Sequence, residues 1–498
     1  MELSEILTIV FTWQNLLALV AGGFYGLLVG LLPGIGPSAG MALAFPLVMS
    51  WPPVTGLIFF GTLLRCSNYG GSITAIMLNT PGDLGNCATI LDGYPMCENG
   101  KSAVALGLSA TSAVVGGIFG IIVLILFSPL LAELALKFGP AEYFLVSVFA
   151  LSIISSLVKG NALKGLASAG LGLVLATFGY DSVTSQKRFT FGLEFLDDGI
   201  PFTQVLVGLF AISQALSLSE TNLTISKVGK LAGSFWEGFK SYFKYPVTII
   251  RSTLIGLWLG VLPAVGGSTA VVMAYADAVR SSKHPETFGK GDPAGVIAPE
   301  TAANACVPGD LVCTIALGIP GSIGAAVFMS IMISFGVVPG PLVFTDKADV
   351  INGLFFGLLL ATLFIAIVGF TIVRYFARIS LIPNEIVVPF ILVVSLLGSF
   401  SVRNMFEDVV LSAGFGLFGY IMRKQGFNPM PLVLGLILGE MVEGNFHRAL
   451  QVSGGSYDIF TASPISKLLM VLTILSLVSP YTKPLWQKVR LRIRRRAN

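Results

Sequence analysis

A thirteen-residue stretch able to stop a helix occurs twice in this chain, each time inside an apolar run. Residues 26–38 read GLLVGLLPGIGPS and residues 256–268 read GLWLGVLPAVGGS. Aligned without a gap, Gly26, Leu27, Gly30, Leu32, Pro33, Gly36 and Ser38 recur as Gly256, Leu257, Gly260, Leu262, Pro263, Gly266 and Ser268. A second pair of blocks follows in the same order. Residues 70–82 read GGSITAIMLNTPG and residues 309–321 read GDLVCTIALGIPG, sharing their first Gly, an Ile, a Leu and the closing Pro-Gly. The offset grows from 230 to 239 residues, which a polar insertion at 281–292 (SSKHPETFGKGD) explains. Motifs kept in order across two halves indicate duplication of one structural unit.

The setting of these motifs is a membrane. Of 498 residues, 54% are hydrophobic and 11% charged, against about 25% charged in an average soluble domain. Apolar runs near twenty residues, such as 113–131, 351–370 and 386–400, are long enough to cross a hydrocarbon core of roughly 30 Å. The expected fold is all-α and polytopic, with about twelve transmembrane helices, two repeats of inverted topology, and broken or re-entrant helices. The repeats are placed at 1–220 and 245–480. Between them, 221–244 reads as an amphipathic interfacial connector carrying Lys227, Lys230, Trp236, Glu237, Lys240 and Lys244, and contact with another subunit is its alternative role. The basic tail 481–498, with Arg490, Arg492, Arg494, Arg495 and Arg496, puts the C-terminus in the cytoplasm by the positive-inside rule. A nucleic-acid arm is the disfavoured reading of that tail. No cleavable signal peptide is expected, since Glu2 and Glu5 stand where a basic n-region would be. The five cysteines form no CxxC pair and read as packing residues, and two histidines make a histidine metal centre unexpected.

Flanking charges constrain the second motif. Arg251 and Arg280 stand about eleven residues to either side of 263–268, and eleven helical residues rise about 16 Å, half a membrane. Either a spanning helix is broken at mid-depth, or a hairpin re-enters with its tip at PAVGGS. The hairpin is favoured because it brings both arginines to one face.

Such breaks carry chemistry. Pro33 and Pro263 lack an N–H, and Gly34, Gly36, Gly266 and Gly267 tolerate unusual backbone angles. Main-chain groups freed in hydrocarbon persist only where protein, water or a ligand satisfies them. Ser38, and Ser268 with Thr269, are expected to cap the helices that start there, so that free N–H groups at a positive dipole end form an anion site. Freed carbonyls offer hard oxygens to Na⁺. Asn79, Thr80, Pro81 and Gly82, and Pro320, Gly321 and Ser322, break the second pair of runs and complete the candidate substrate site. Close helix packing through small residues is the plain alternative for the glycines. Asp83, Glu300 and Asn304 are the candidate ion ligands. Asp310 reads more simply as a helix-end residue, Asp277 as a local partner of Arg280, and Glu440 and Glu443 as outside the site.

Taken together, GLLPGIGPSAG, NTPGD, GVLPAVGGSTA, APETAAN (298–304) and LGIPGS resemble the large membrane subunit of the tripartite tricarboxylate transporter family, over essentially the whole chain. That resemblance implies cation-coupled uptake of a carboxylate across a bacterial inner membrane, commonly driven by Na⁺. It also implies two partners, a small four-helix membrane subunit and a periplasmic solute-binding protein. Ala264 departs from Gly34, and NACVPGD replaces the asparagine- and glycine-rich run usual after the APE element. The expected mechanism is alternating access between the repeats, elevator-like or rocking. A channel, or a stand-alone transporter of a non-carboxylate solute, is the alternative. A membrane enzyme lacks a clustered acid–base constellation, a structural subunit is a further rival, and no GxxxxGK[ST] loop offers ATP coupling.

Overall fold

The structure, a computed structural model, describes residues 3–32, 35–157, 162–181, 185–220, 232–262, 266–371 and 384–477. The connector segment 221–231, the basic tail 481–498, Pro33, Gly34, Pro263 and Ala264 lie outside the described residues. The chain forms two compact units. One comprises Met1–Leu136 and Leu206–Tyr420, the other Lys137–Val205 and Ile421–Asn498.

The larger unit holds all four interrupted motifs. Its first-repeat helices are α1 (Trp13–Leu31), α2 (Gly36–Val48), α3 (Pro53–Leu78) and α4 (Ser102–Ala135). Those of the second repeat are α5 (Pro246–Val261), α6 (Gly266–Ser281), α7 (Pro293–Leu317), α8 (Ile323–Ser334) and α9 (Ala348–Thr371). Proline opens α3, α5 and α7, where its missing N–H costs nothing. Thr12 and Asp292 accept from Asn15 N at 3.4 Å and Ala294 N at 2.8 Å to cap α1 and α7.

Helices α3 and α7 are buried on all sides and form the axis of the unit. Helix α1 packs on α3, and α5 packs on α7. The same glycines make both contacts. A methyl group at Gly30 would lie 2.9 Å from the Gly70 Cα, and one at Gly260 would lie 3.1 Å from the Gly309 Cα. With lipid outside and no apolar gain from leaving water, such backbone-close packing is what holds membrane helices together. Around this axis Leu27, Tyr69, Ile73, Leu106, Ala110, Ile297, Phe364 and Ile365 fill one core from α1, α3, α4, α7 and α9. A second cluster packs Ala39 and Leu43 of α2 against Val207 and Ala211, which lie in a π-helical turn, and against Val387 and Ile391.

Arg65 of α3 is fully buried. Its Nη1 donates to Asn304 O at 2.9 Å and Asn304 Oδ1 at 3.4 Å, and its Nη2 to Ala113 O at 3.1 Å and Thr362 Oγ1 at 3.3 Å. One side chain thereby ties α3 to α7, α4 and α9.

The inserted loop of the second repeat is anchored by the short helix Ile90–Glu98. Asp92 accepts from Gly291 N at 2.9 Å, Asp292 N at 2.8 Å and Tyr275 Oη at 2.9 Å. Each such donor left unmade costs about 1–3 kcal/mol. Asp92→Ala is therefore expected to free the loop, with tryptic cleavage after Lys283 or Lys290 about tenfold faster than in the parent.

In the smaller unit, Pro140–Leu157 and Ala162–Ala176 pack on Pro429–Val452. Phe144, Phe446 and Phe460 cluster at one contact, where Phe446 and Phe460 stack and Phe144 is tilted against both. Glu142 Oε1 accepts from Ser463 at 2.5 Å and Ser466 at 2.7 Å. A two-residue ladder pairs Gly179–Tyr180 with Lys187–Arg188. Arg188 then forks onto Glu443 at 2.6 and 2.9 Å, which gives that carboxylate a structural employment.

The chain is a multi-pass helical membrane protein. Among the described residues five helices are long and apolar enough to span, namely Trp13–Leu31, Ser102–Ala135, Phe202–Ser219, Ala348–Thr371 and Glu385–Arg403. This is fewer than a count of apolar runs suggests, because interrupted runs become shorter helices such as Gly36–Val48 and Pro246–Val261.

Candidate functional site

Both copies of the first motif are hairpin tips. Tyr25 Oη of α1 donates to Gly40 O of α2 at 3.2 Å. Fifteen residues along one continuous helix would separate these positions by about 22 Å, so α2 turns back beside α1. In the second repeat Arg251 of α5 and Arg280 of α6 both reach Asp277, at 3.4 and 3.8 Å. The Arg280 contact is local to α6, but the Arg251 contact crosses from α5 to α6, and a helix broken but still running forward cannot make it.

The helices leaving the tips start at Gly36 and Gly266, with φ of +64° and +67°. This left-handed angle is closed to most side chains, and the same solution appears at the same repeat position. It corrects the expected capping. Helix α2 begins at Gly36, its cap residue is Ile35, and no side chain caps it. Ser38 is the third residue of α2, and Ser268 and Thr269 are the third and fourth of α6. The glycine starts the helix two residues ahead of the hydroxyl, which places Ser38 and Ser268 on the first turn, half-buried.

The second breaks also match in detail. Helix α3 ends on Asn79 at φ 55°, and α7 ends on Gly318 at φ 70°. Thr80 N then bonds back to Thr74 O at 3.5 Å, and Ile319 N to Cys313 O at 3.3 Å. These pairs are equivalent in the two repeats. Asn79 is exposed, Thr80 and Pro81 are half-buried, and Gly82, Pro320 and Gly321 are buried. Gly82 N bonds to Gly71 O at 3.4 Å. Ser322 Oγ accepts from Ala325 N at 3.1 Å and caps α8.

Each tip touches the second break of its own repeat and a segment of the other. A methyl at Gly36 would lie 3.5 Å from Asp83 Oδ1, and one at Gly266 would lie 3.9 Å from Gly321 O. Across the repeats, a methyl at Gly267 would lie 4.0 Å from the Gly85 Cα, and one at Gly324 would lie 3.9 Å from the Pro37 ring. Pro37 is the counterpart of Gly267, and Gly324 that of Gly85, so the contact and its reverse are both made. Arg65 and Asn304 are also counterparts, and they touch each other. Reciprocal contacts of this kind are the signature of a two-fold relation. All four breaks therefore converge on one pseudo-symmetric locus inside the larger unit.

The candidate ion ligands are placed differently from one another. Asp83 stands at the first tip. Glu300 is fully buried in α7, with Thr89 Oγ1 donating to Oε1 at 2.5 Å and Ser109 Oγ to Oε2 at 2.8 Å. Asn304 donates to Glu300 O at 2.9 Å while accepting from Arg65. Glu300 and Asn304 thus sit in the polar interior of the axis, bonded to Thr89, Ser109 and Arg65. Asp310 is no helix-end residue, being 4% exposed within α7. Sequence reasoning missed Arg65, Asn86 and Asp92. Arg65 was the one visible signal, as the lone charge in an apolar run; Asn86 and Asp92 acquire their partners only through the fold.

Paired hairpins, matched second breaks and a two-fold locus define the class of helical membrane transporters built from two repeats. The tripartite tricarboxylate transporter TctA family matches residues 16–434, and the chain belongs to that family. It is 33% identical over 464 residues, 93% of this chain and 92% of the relative, to an uncharacterized 52.8 kDa protein from the TAR-I ttuC' 3' region of Agrobacterium vitis. An uncharacterized protein from the TAR-II ttuC' 3' region of the same organism is 30% identical over 223 residues, 45% of this chain and 92% of the relative. No solved structure matches. As a member of a transporter family, the chain is not an enzyme, and its family works in tripartite assemblies with partner subunits.

Proposed function

We propose that the chain is the translocating subunit of a secondary active importer for a small di- or tricarboxylate in the bacterial inner membrane, with Na⁺ as the coupling ion. The observation that carries this reading is reciprocal: each hairpin tip lies against the segment after the second break of the other repeat, Gly267 by Gly85 and Pro37 by Gly324. Two helix N-termini, starting at Gly36 and Gly266, come to one locus beside Ser38, Ser268 and Thr269. Their first-turn N–H groups and hydroxyls suit carboxylate oxygens, and the dipole ends favour the negative charge. Asn79 and Thr80 add neutral donors. Pro33 to Ser38, Asn79 to Gly82, Pro263 to Thr269 and Pro320 to Ser322 are the proposed lining.

Both tips are fastened to one axis of α3 and α7, so substrate crosses as the whole locus is exposed to alternate sides. That favours an elevator-like motion. A small four-helix membrane subunit and a periplasmic solute-binding protein are the proposed partners, the second delivering substrate, with the C-terminus cytoplasmic. Uptake by the reconstituted complex is expected to saturate with substrate and to require a cation gradient. Flux that is linear in concentration and indifferent to the gradient would favour a channel.

A further inference from the structure

The two repeats place their carboxylates differently beside the second break. Position 310 of α7 is aspartate, whereas its counterpart in α3 is Gly71; position 322 is serine, whereas its counterpart is Asp83. Each repeat thus has one carboxylate beside its break, but on a different element. In the second repeat it comes from the axis helix and is 4% exposed.

A main-chain oxygen faces the Asp310 carboxylate across Gly321. A point one bond from the Gly321 Cα lies 2.9 Å from Asp310 Oδ1 and 2.9 Å from the Gly260 carbonyl oxygen. Gly260 is in the last turn of α5, which ends at Val261. Carbonyls of a last turn lack intrahelical partners, and the dipole there is negative. Ser322 follows Gly321 directly, and its hydroxyl caps α8. Among the described residues the side-chain donor to the Asp310 carboxylate is the weak thiol of Cys306, at 3.6 Å. Among the described residues no basic side chain pairs with it. A buried carboxylate is costly unless it is paired or coordinates a metal.

We infer that Asp310, the Gly260 carbonyl and the Ser322 hydroxyl hold a monovalent metal cation at the second hairpin tip. A single carboxylate with neutral oxygens balances one charge, whereas divalent cations draw on more carboxylates or retained water. The first tip is built otherwise. There the Asn86 Oδ1, fully buried and without a partner, lies against Gly71 in place of a carboxylate. The cation site belongs to the second tip, and the two tips divide the work unequally.

This inference rests on the transporter reading of the same locus, so its test reads binding rather than flux. Thermal unfolding of the purified full chain is followed against NaCl, KCl and choline chloride at constant ionic strength. Na⁺ is expected to raise the midpoint of the parent. In Asp310→Asn the Na⁺ concentration for half-maximal stabilisation is expected to rise at least about tenfold, the loss of one charged ligand. Gly321→Ala, which puts a methyl between the two oxygens and keeps the carboxylate, is expected to do the same. It also serves if Asp310→Asn fails to fold. Unchanged Na⁺ dependence in both variants, or a parent that answers Na⁺ no better than choline, overturns the site. If reconstituted uptake of carboxylate persists in that case, the site falls and the transporter reading stands. A Na⁺ response of the parent that the variants lose, without saturable uptake, keeps the site and removes the transporter reading.

Discussion

Gly36→Leu and Gly266→Leu, made singly, are each expected to lower carboxylate uptake at least about a hundredfold, roughly 2.7 kcal/mol of barrier. The protein is expected to remain in the membrane. A side chain in the left-handed region costs about 1–2 kcal/mol by itself. The larger effect is geometric, because relieving that strain moves the first turn of α2 or α6 and so the N–H groups that face the locus. At Gly36 the new side chain also points at Asp83. Gly454→Leu is the control. Its φ is +63° with no atom within 4 Å of the added carbon, so it carries the same strain away from the tips and should transport near the parent rate. Initial rates in proteoliposomes, normalised to protein by immunoblot, give the comparison.

Arg65→Ala is expected to be the most destabilising substitution in the axis, by about 3–5 kcal/mol. It removes the largest of the fully buried side chains and abandons acceptors on three helices. The measurement is the fraction of monodisperse protein after detergent extraction, followed by its unfolding midpoint. Arg65→Met should recover part of the loss, since it restores volume without a buried charge. If the alanine variant matches the parent, Arg65 does not hold the axis together.

What was legible in the sequence was whatever the duplication wrote twice. The hairpin at 263–268 followed from Arg251 and Arg280 needing one face, and Arg251 does cross to Asp277, the local partner of Arg280. The end of α3 at Asn79 and of α7 at Gly318 followed from the Pro-Gly that comes next. The capping role of Ser38 and Ser268 was misread because the rule places a hydroxyl at the first residue of a helix, whereas a left-handed glycine can start it earlier. Asp310 was misread for a related reason. Its neighbours in sequence, Pro308 and Gly309, look like a helix end, yet Pro308 lies inside α7 and Gly309 is the seat of α5. Arg65 and Asn304 could not be paired from one sequence, since their contact exists only because the repeats meet about a two-fold.

The central claim is that the two tips bind one substrate together, and thiol protection tests it most directly. Ser38→Cys and Ser268→Cys are made separately in a background with Cys66, Cys87, Cys97, Cys306 and Cys313 replaced. Labelling by a small maleimide is then timed with and without the carboxylate that the complex transports. The expected result is that substrate slows labelling at both positions, with the same concentration dependence. Protection at neither position, or at only one of the two, would contradict a site shared between the tips.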